Sequence, residues 1–319
     1  MGDGERLHVI CERDVGLFSL VQQVVANVPW ARAEGRVPIV HFGRRTCYWT
    51  PQGHRGRDSV WEYYFEPVVC SNPAVSVPEH ARSAMSADPP SAFDVGYRTG
   101  TGPSCFVTAH FGDHADLSGA TMAIPYEWDD PCDSLRGEAN CVIDRFVRPR
   151  PHIVRKVDRF TRQHMAGRPV IGVHARGTDA VSEAELRPHR HGSLDLSRYV
   201  AEIWRLLETM PTAKVFVASD EESSLQYLRR ALPDRVIAHA SVRHRGGEGA
   251  GQGPTGWLMP AYITADRDVA ARNGEDAVVE YLLLSRCDHL IHNGSSLART
   301  VLLNAPNLPH TNTHTMSGQ

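Results

Sequence analysis

Several common features are missing from this 319-residue chain. Its seven cysteines (Cys11, Cys47, Cys70, Cys105, Cys132, Cys141 and Cys287) form no C-x-x-C pair, and their number is odd. That argues against a disulfide framework, so a reduced, cytoplasmic setting is expected. No apolar run comes near twenty residues, so no membrane span is expected. The opening "MGDGERLHVICERD" lacks the basic-then-apolar pattern of a secretory leader. Charge of one sign is missing too: 34 Lys and Arg face 37 Asp and Glu, a formal net charge of -3. Nothing in that balance suggests a nucleic-acid groove or an anionic membrane surface. There is no internal repeat. No G-x-G-x-x-G follows a first strand, which sets aside a dinucleotide-dependent dehydrogenase.

What is present is an alternation of strands and helices. "LHVIC" (7–11) reads as a strand, 17–34 as a helix and "VPIVHF" (37–42) as the next strand, the start of a parallel sheet. Residues 50–165 are less regular: "VWEYYFEPVV" (60–69) is aromatic, 87–104 reads as a Pro/Gly-rich loop, and 153–165 has helical spacing. The second half is cleaner. Strands are expected at 169–174, 213–219, 234–239 and 288–293, and helices at 195–210, 220–232, 274–287 and 295–305. Residues 241–268, with "RHRGGEGAGQGP", read as a Gly-rich loop. The length suits two domains, placed at 1–165 and 166–319.

Three of the expected strands end in polar residues. "VIGVHARGTD" closes with His174, Arg176, Thr178 and Asp179. In an open parallel sheet, ligands bind beyond the carboxyl ends of the strands. A guanidinium there can grip a phosphate through two parallel hydrogen bonds; the alternative is a surface ion pair between Arg176 and Asp179. "VFVASDEES" places Ser219 and Asp220 at a strand-to-helix turn, where Asp220 could cap the helix or accept hydrogen bonds from a ribose or base. "LIHNGSSLART" places Gly294, Ser295 and Ser296 at another such turn. Amides there and the positive end of a helix suit a diphosphate, and capping is compatible with that use.

Taken in order, "GVHARGTD", "VFVASDEES" and "LLLSRCDHLIHNGSS" resemble the three C-terminal motifs of the fucosyltransferase superfamily: nodulation-type α1,6-fucosyltransferases, core fucosyltransferases and protein O-fucosyltransferases. "DVGLFSLVQQVV", "PIVHF" and "VWEYYFEP" are similar to bacterial members. The likeness covers about 170–305 well and 7–69 loosely. It implies an α/β GT-B architecture, two Rossmann-like domains facing across a cleft. It also implies a GDP-fucose or other GDP-sugar donor held by the C-terminal domain, and inverting transfer without a metal or other cofactor. By position, Arg176 resembles the arginine on the β-phosphate and His174 a donor-site neighbour. Asp220 matches the acid near the nucleoside, and Ser295 and Ser296 the serines that hold the diphosphate. Asp288, in "SRCD", fits a structural role at least as well.

The chain departs from that pattern. Core fucosyltransferases carry two adjacent arginines in the first motif and a lysine after its aspartate; here Gly177 and Ala180 stand there. The chain also has no membrane anchor, coiled coil or SH3-like addition, so a Golgi-type enzyme is not expected. Its partners are then a nucleotide-sugar donor and an unidentified small-molecule, glycan or peptide acceptor.

The chemistry follows from the bond to be broken. The departing diphosphate gains negative charge while the anomeric carbon becomes oxocarbenium-like. Each well-placed donor aimed at the developing charge is worth about 3–4 kcal/mol. A general base for the acceptor hydroxyl adds roughly 10²–10⁴-fold. Glu183 and Glu185, in "VSEAELRPHRH", are the candidates, with His110 and Asp14 further off. Trp61, Tyr63 and Tyr64 could shape an acceptor site or simply be core. The lone D-x-D (266–268) reads as solvated surface, and "HRH" (189–191) as too few ligands for a metal. A catalytically silent nucleotide-sugar-binding protein of the same fold is the alternative function, kept open by the missing second arginine.

Overall fold

The computed structural model describes residues 7–13, 15–68, 98–100, 105–108, 124, 130–177, 194–245, 250–252 and 258–314. Two parallel-rich sheets organise the molecule.

The first sheet joins β1 (Leu7–Cys11), β2 (Val37–His41), β3 (Arg98–Gly100) and β4 (Cys105–Thr108) in the order β2-β1-β4-β3. β1 lies parallel to both β2 and β4, and β3 is antiparallel to β4. Between β1 and β2 runs α1 (Leu17–Ala33), whose apolar residues are buried almost all round. Such a helix can bury polar groups only if they are bonded. Gln23 Nε2 donates to Cys11 O and Asn27 Nδ2 to Gln23 O. α2 (Val60–Tyr64) follows, then α3 (Asp133–Phe146), α4 (Pro151–Phe160) and a π-helical turn, Thr161–Met165.

The second sheet is wholly parallel, in the order β11-β10-β5-β6-β7. Its strands are β5 (Val170–Ala175), β6 (Lys214–Ser219), β7 (Val236–Ile237), β10 (His289–His292) and β11 (His310–Asn312). Its helices are α5 (Leu196–Thr209), α6 (Glu222–Ala231), α8 (Arg267–Leu284) and α9 (Ser296–Asn304). Both faces are covered, as a parallel sheet requires. Ile171, Val173 and Ala175 of β5 pack in one apolar cluster with Tyr199, Ile203 and Leu225. On the opposite face Gly172 lets α8 approach: a Cβ there would stand 3.0 Å from Cys287 Sγ and 3.1 Å from Leu284 Cδ2. A larger core cluster takes in α1, α2, α8 and α9 together, so the two halves share one apolar interior.

Several expectations change. The 241–268 stretch, expected as loop, contains the hairpin β8 (Ala250–Gln252) and β9 (Leu258–Pro260) and the short α7 (Ala261–Ala265). α8 begins at Arg267 rather than 274, because Asp266 caps it by accepting from Asp268 N and Val269 N. Trp61, Tyr63 and Tyr64 are buried to 1% exposure or less and belong to the core, so they do not form an acceptor surface. Tyr64 OH donates to Ala271 O, joining α2 to α8.

Candidate active site

The order of the second sheet fixes where a site can be. The chain leaves β5 toward β6 and β7, then returns to β10 on the other side of β5. Connections from β5 and β10 therefore diverge, opening a crevice at their carboxyl ends. The register sets the residues there: Val173 pairs with Ile291 and Ala175 with Ser219, so His174 and Arg176 end β5 beside Asn293–Ser295 and Ser219–Asp220.

His174 and Ser295 meet in this crevice. Ser295 caps α9: its Oγ accepts from Ala298 N at 3.1 Å and lies 3.1 Å from His174 Nδ1. The amide takes one of the two lone pairs on Oγ, and the hydroxyl makes its second hydrogen bond with Nδ1. Burial, with the neighbouring Arg176 charge adding to it, lowers the His174 pKa to about 3. His174 is therefore neutral at neutral pH.

Arg176 is half-buried, and its carbonyl accepts from Asn293 Nδ2 at 3.3 Å. The next residue is held by β6: Gly177 N donates to Asp220 Oδ1 at 2.9 Å. Asp220 thus does not cap α6, whose cap position is Glu221; its carboxylate instead shapes the turn that carries Arg176. A Cβ on Gly177 would lie 2.5 Å from Glu221 Oε2, so that carboxylate would have to swing aside for a larger residue. That carboxylate accepts from Ser224 Oγ at 3.0 Å.

Ser219 is buried; its Oγ accepts from Glu221 N and its carbonyl accepts from Arg243 Nε at 3.1 Å. Arg243 also donates to His239 O, Ser241 O and Glu280 Oε1. Burial pushes the Glu280 carboxyl up to about 7, against the pull of Arg243. Sequence reasoning missed this pair because 241–268 reads as loop. The signal in the sequence is Glu280, a lone acid inside the apolar run "AVVEYLLL".

Gly294 sits at φ +81, a conformation that favours glycine, and its amide donates to His292 Nδ1 at 3.0 Å. The Gly294 N–H therefore points inward, contrary to the expectation that it faces a diphosphate. Past the Ser295 cap, the first-turn amides of Ser296 and Leu297 make no hydrogen bond among the described residues. Together with the positive end of α9 they form an anion-binding feature. Ser296 also ties the halves together: its Oγ lies 2.9 Å from Ser19 Oγ, and its carbonyl accepts from Gln22 Nε2 at 2.9 Å. Gln22, a polar residue inside the apolar run "LVQQVV", was the sequence signal for this junction. Asp288 is structural: its Oδ2 accepts from Val170 N at 2.8 Å.

Asp179, Glu183 and Glu185, with Thr178, Asp14, His110 and 189–191, lie outside the described residues. Among those described, no helix is long and apolar enough to cross a membrane.

Comparison with known proteins bears on this arrangement. The NodZ structure "α-1,6-fucosyltransferase soaked with GDP-fucose" covers 95% of this chain and 94% of its own, with a TM-score of 0.55 and 18% identity. The fucosyltransferase NodZ from Bradyrhizobium gives 0.54 with 17% identity, covering 96% and 93%. A POFUT1 structure in complex with GDP-fucose gives 0.51 with 14% identity, covering 96% and 97%. At such identities the likeness establishes the fold, an α/β GT-B architecture as expected. In sequence, Nodulation protein Z of Azorhizobium caulinodans is 26% identical over 153 residues, which is 47% of this chain and 40% of that protein. The pattern of the family described as Nodulation protein Z (NodZ) matches residues 128–307, more than half of the chain and all three polar strand ends. The chain belongs to the NodZ family.

Proposed function

We propose that the protein is a glycosyltransferase that moves fucose, or a related sugar, from a GDP-sugar to a hydroxyl acceptor, with inversion and without a metal. The observation that carries this reading is the Ser295–His174 hydrogen bond, which brings the end of β5 to the helix N-terminus that follows β10. The end of β5 that carries Arg176, the neutral His174 imidazole and two amides without a hydrogen bond among the described residues then flank one crevice. This is the set needed to stabilise a leaving diphosphate.

In this reading Arg176 and the α9 amides hold the diphosphate, with His174 beside them. Ser219 and Asp220 shape the nucleoside end. Gly294 acts through the turn rather than by its own amide. Asp179 supports the first motif, and Glu183 or Glu185 takes the acceptor proton as the attack inverts the anomeric centre. Residues 166–319 form the donor-side domain and 1–165 the acceptor side. The fucosyltransferase structures named above support this reading by fold, and the matched stretch spans 40% of the curated relative's length.

A second reading has one observation in its favour. Where core fucosyltransferases resemble each other in a second arginine, Gly177 stands here, and the Glu221 carboxylate fills the space. A carboxylate beside the diphosphate weakens stabilisation of the leaving group, as in a silent GDP-sugar-binding protein.

A GDP titration followed by a GDP-fucose turnover assay in excess EDTA separates the two. Binding with EDTA-insensitive transfer or hydrolysis supports the enzyme; binding without turnover across an acceptor screen supports the silent protein. Turnover that EDTA abolishes and Mg²⁺ restores contradicts the metal-free mechanism.

A further inference from the structure

His292 ends β10, is fully buried, and has no part in the chemistry above. Its Nδ1 accepts the Gly294 amide proton. A neutral imidazole that accepts at Nδ1 carries its proton on Nε2. Nε2 lies 3.2 Å from His310 Nδ1 and 3.7 Å from Asp130 Oδ1, so its proton has an acceptor on that side. Asp130 is itself held, its Oδ1 accepting from Asn312 Nδ2 at 3.1 Å. Burial above all keeps the His292 pKa well below the usual range for histidine, with electrostatic repulsion from neighbouring groups such as Arg299 adding to it. The ring stays neutral and its tautomer is fixed from both ends.

Asp130, His292 and His310 bring three ligand atoms within 4.8 Å of one another, a spacing that could suit a cation. The Gly294 bond argues against that use. A metal on Nε2 would leave an imidazole whose Nδ1 still accepts a proton bond, which demands an imidazolate; metal-bound histidines instead donate from the second nitrogen.

We propose that His292 is a positioning residue of the donor site: its Nδ1 pins the Gly294 amide and so sets the left-handed turn that aims the Ser296 and Leu297 amides outward. His310 and Asp130 serve it by fixing the tautomer. The proposal rests on the donor-site reading above.

Asparagine can place an acceptor near the Nδ1 position, whereas the glutamine side chain extends toward Nε2. The test compares His292→Asn and His292→Gln for GDP affinity by calorimetry, thermal midpoint, and hydrogen exchange of the Gly294 amide. His292→Asn is expected to keep affinity within about threefold with Gly294 protected. His292→Gln is expected to lose tenfold or more, with Gly294 exchanging freely and the midpoint close to that of His292→Asn. Equal loss in both variants, or in neither, overturns the proposal. Submicromolar zinc binding that His310→Ala abolishes also overturns it, because the Nε2 lone pair would then be free. If wild type does not bind GDP, the donor-site reading fails, and Gly294 exchange in the two variants still decides the hydrogen bond. Should a variant not fold, the nitrogen chemical shifts of wild-type His292 decide: a proton on Nε2 supports the proposal, and one on Nδ1 overturns it.

Discussion

Ser295 Oγ stands between Ala298 N and His174 Nδ1, 3.1 Å from each, so one hydroxyl caps a helix and holds a buried histidine. The motif that ends β5 and the motif that opens α9 are thereby one unit.

Ser295→Ala removes both bonds. Loss of the cap costs about 1 kcal/mol, and a buried His174 Nδ1 left without its partner adds roughly 1–3 kcal/mol. Urea denaturation of the variant should show a loss of that combined size, together with weaker GDP binding. A stability change under about 0.5 kcal/mol would show that the shared hydroxyl matters little to the fold.

Glu275, with its side chain 4% exposed, receives Arg55 Nε at 2.6 Å and Lys156 Nζ at 2.6 Å, with His54 and His152 beside it. Burial alone would raise its pKa, but the hydrogen bonds from His54, Arg55 and Lys156 outweigh it and hold the carboxyl far below the usual range. A depressed carboxyl contributes stability that is present above its unfolded value, about 4.5, and is lost as pH falls toward the folded one. Arg55 and Lys156 are 48% and 40% exposed and can return to water. Glu275→Ala should therefore cost about 1–3 kcal/mol at pH 7, less than for a fully buried pair. The difference from wild type should shrink below pH 4.5 in stability curves measured at several pH values.

Glu280 has the opposite sign. Its folded pKa, about 7, lies above the unfolded value, so its contribution is fully present below about pH 4.5 and is lost as pH rises through 7. The stability of wild type relative to Glu280→Gln should fall between pH 5 and pH 8 and level off above it. A difference that grows with pH would show that the Arg243 ion pair dominates instead.

The sequence revealed the second sheet better than the first. Strands such as 213–219 alternate with amphipathic helices, so period and length agree, and their ends name His174, Arg176 and Ser295 directly. β3, β4 and β11 are not legible: they are three or four residues long, and no helical segment brackets them as helices bracket the equally short β7 and β10. Inside 153–165 the helix was legible but its π-helical last turn was not. Residue types at the site were readable, but hydrogen-bond directions were not. Asp220 reads as a cap until Gly177 N is seen to take its carboxylate, and Gly294 reads as an anion donor until His292 is seen beneath it. The first depends on a contact between two strand ends that no local pattern encodes, and the second on the direction of a bond within one turn, which residue types alone do not set.

Arg176 is the cation assigned to the leaving diphosphate, and its loss should leave the fold intact. Calorimetric titration of GDP into wild type and Arg176→Ala, with thermal midpoints recorded alongside, tests the account most directly. The account predicts saturable binding by wild type and at least a tenfold weaker constant for the variant at an unchanged midpoint, the size expected for a charge-assisted pair. Equal affinity in the two proteins, or no GDP binding by wild type, would contradict it.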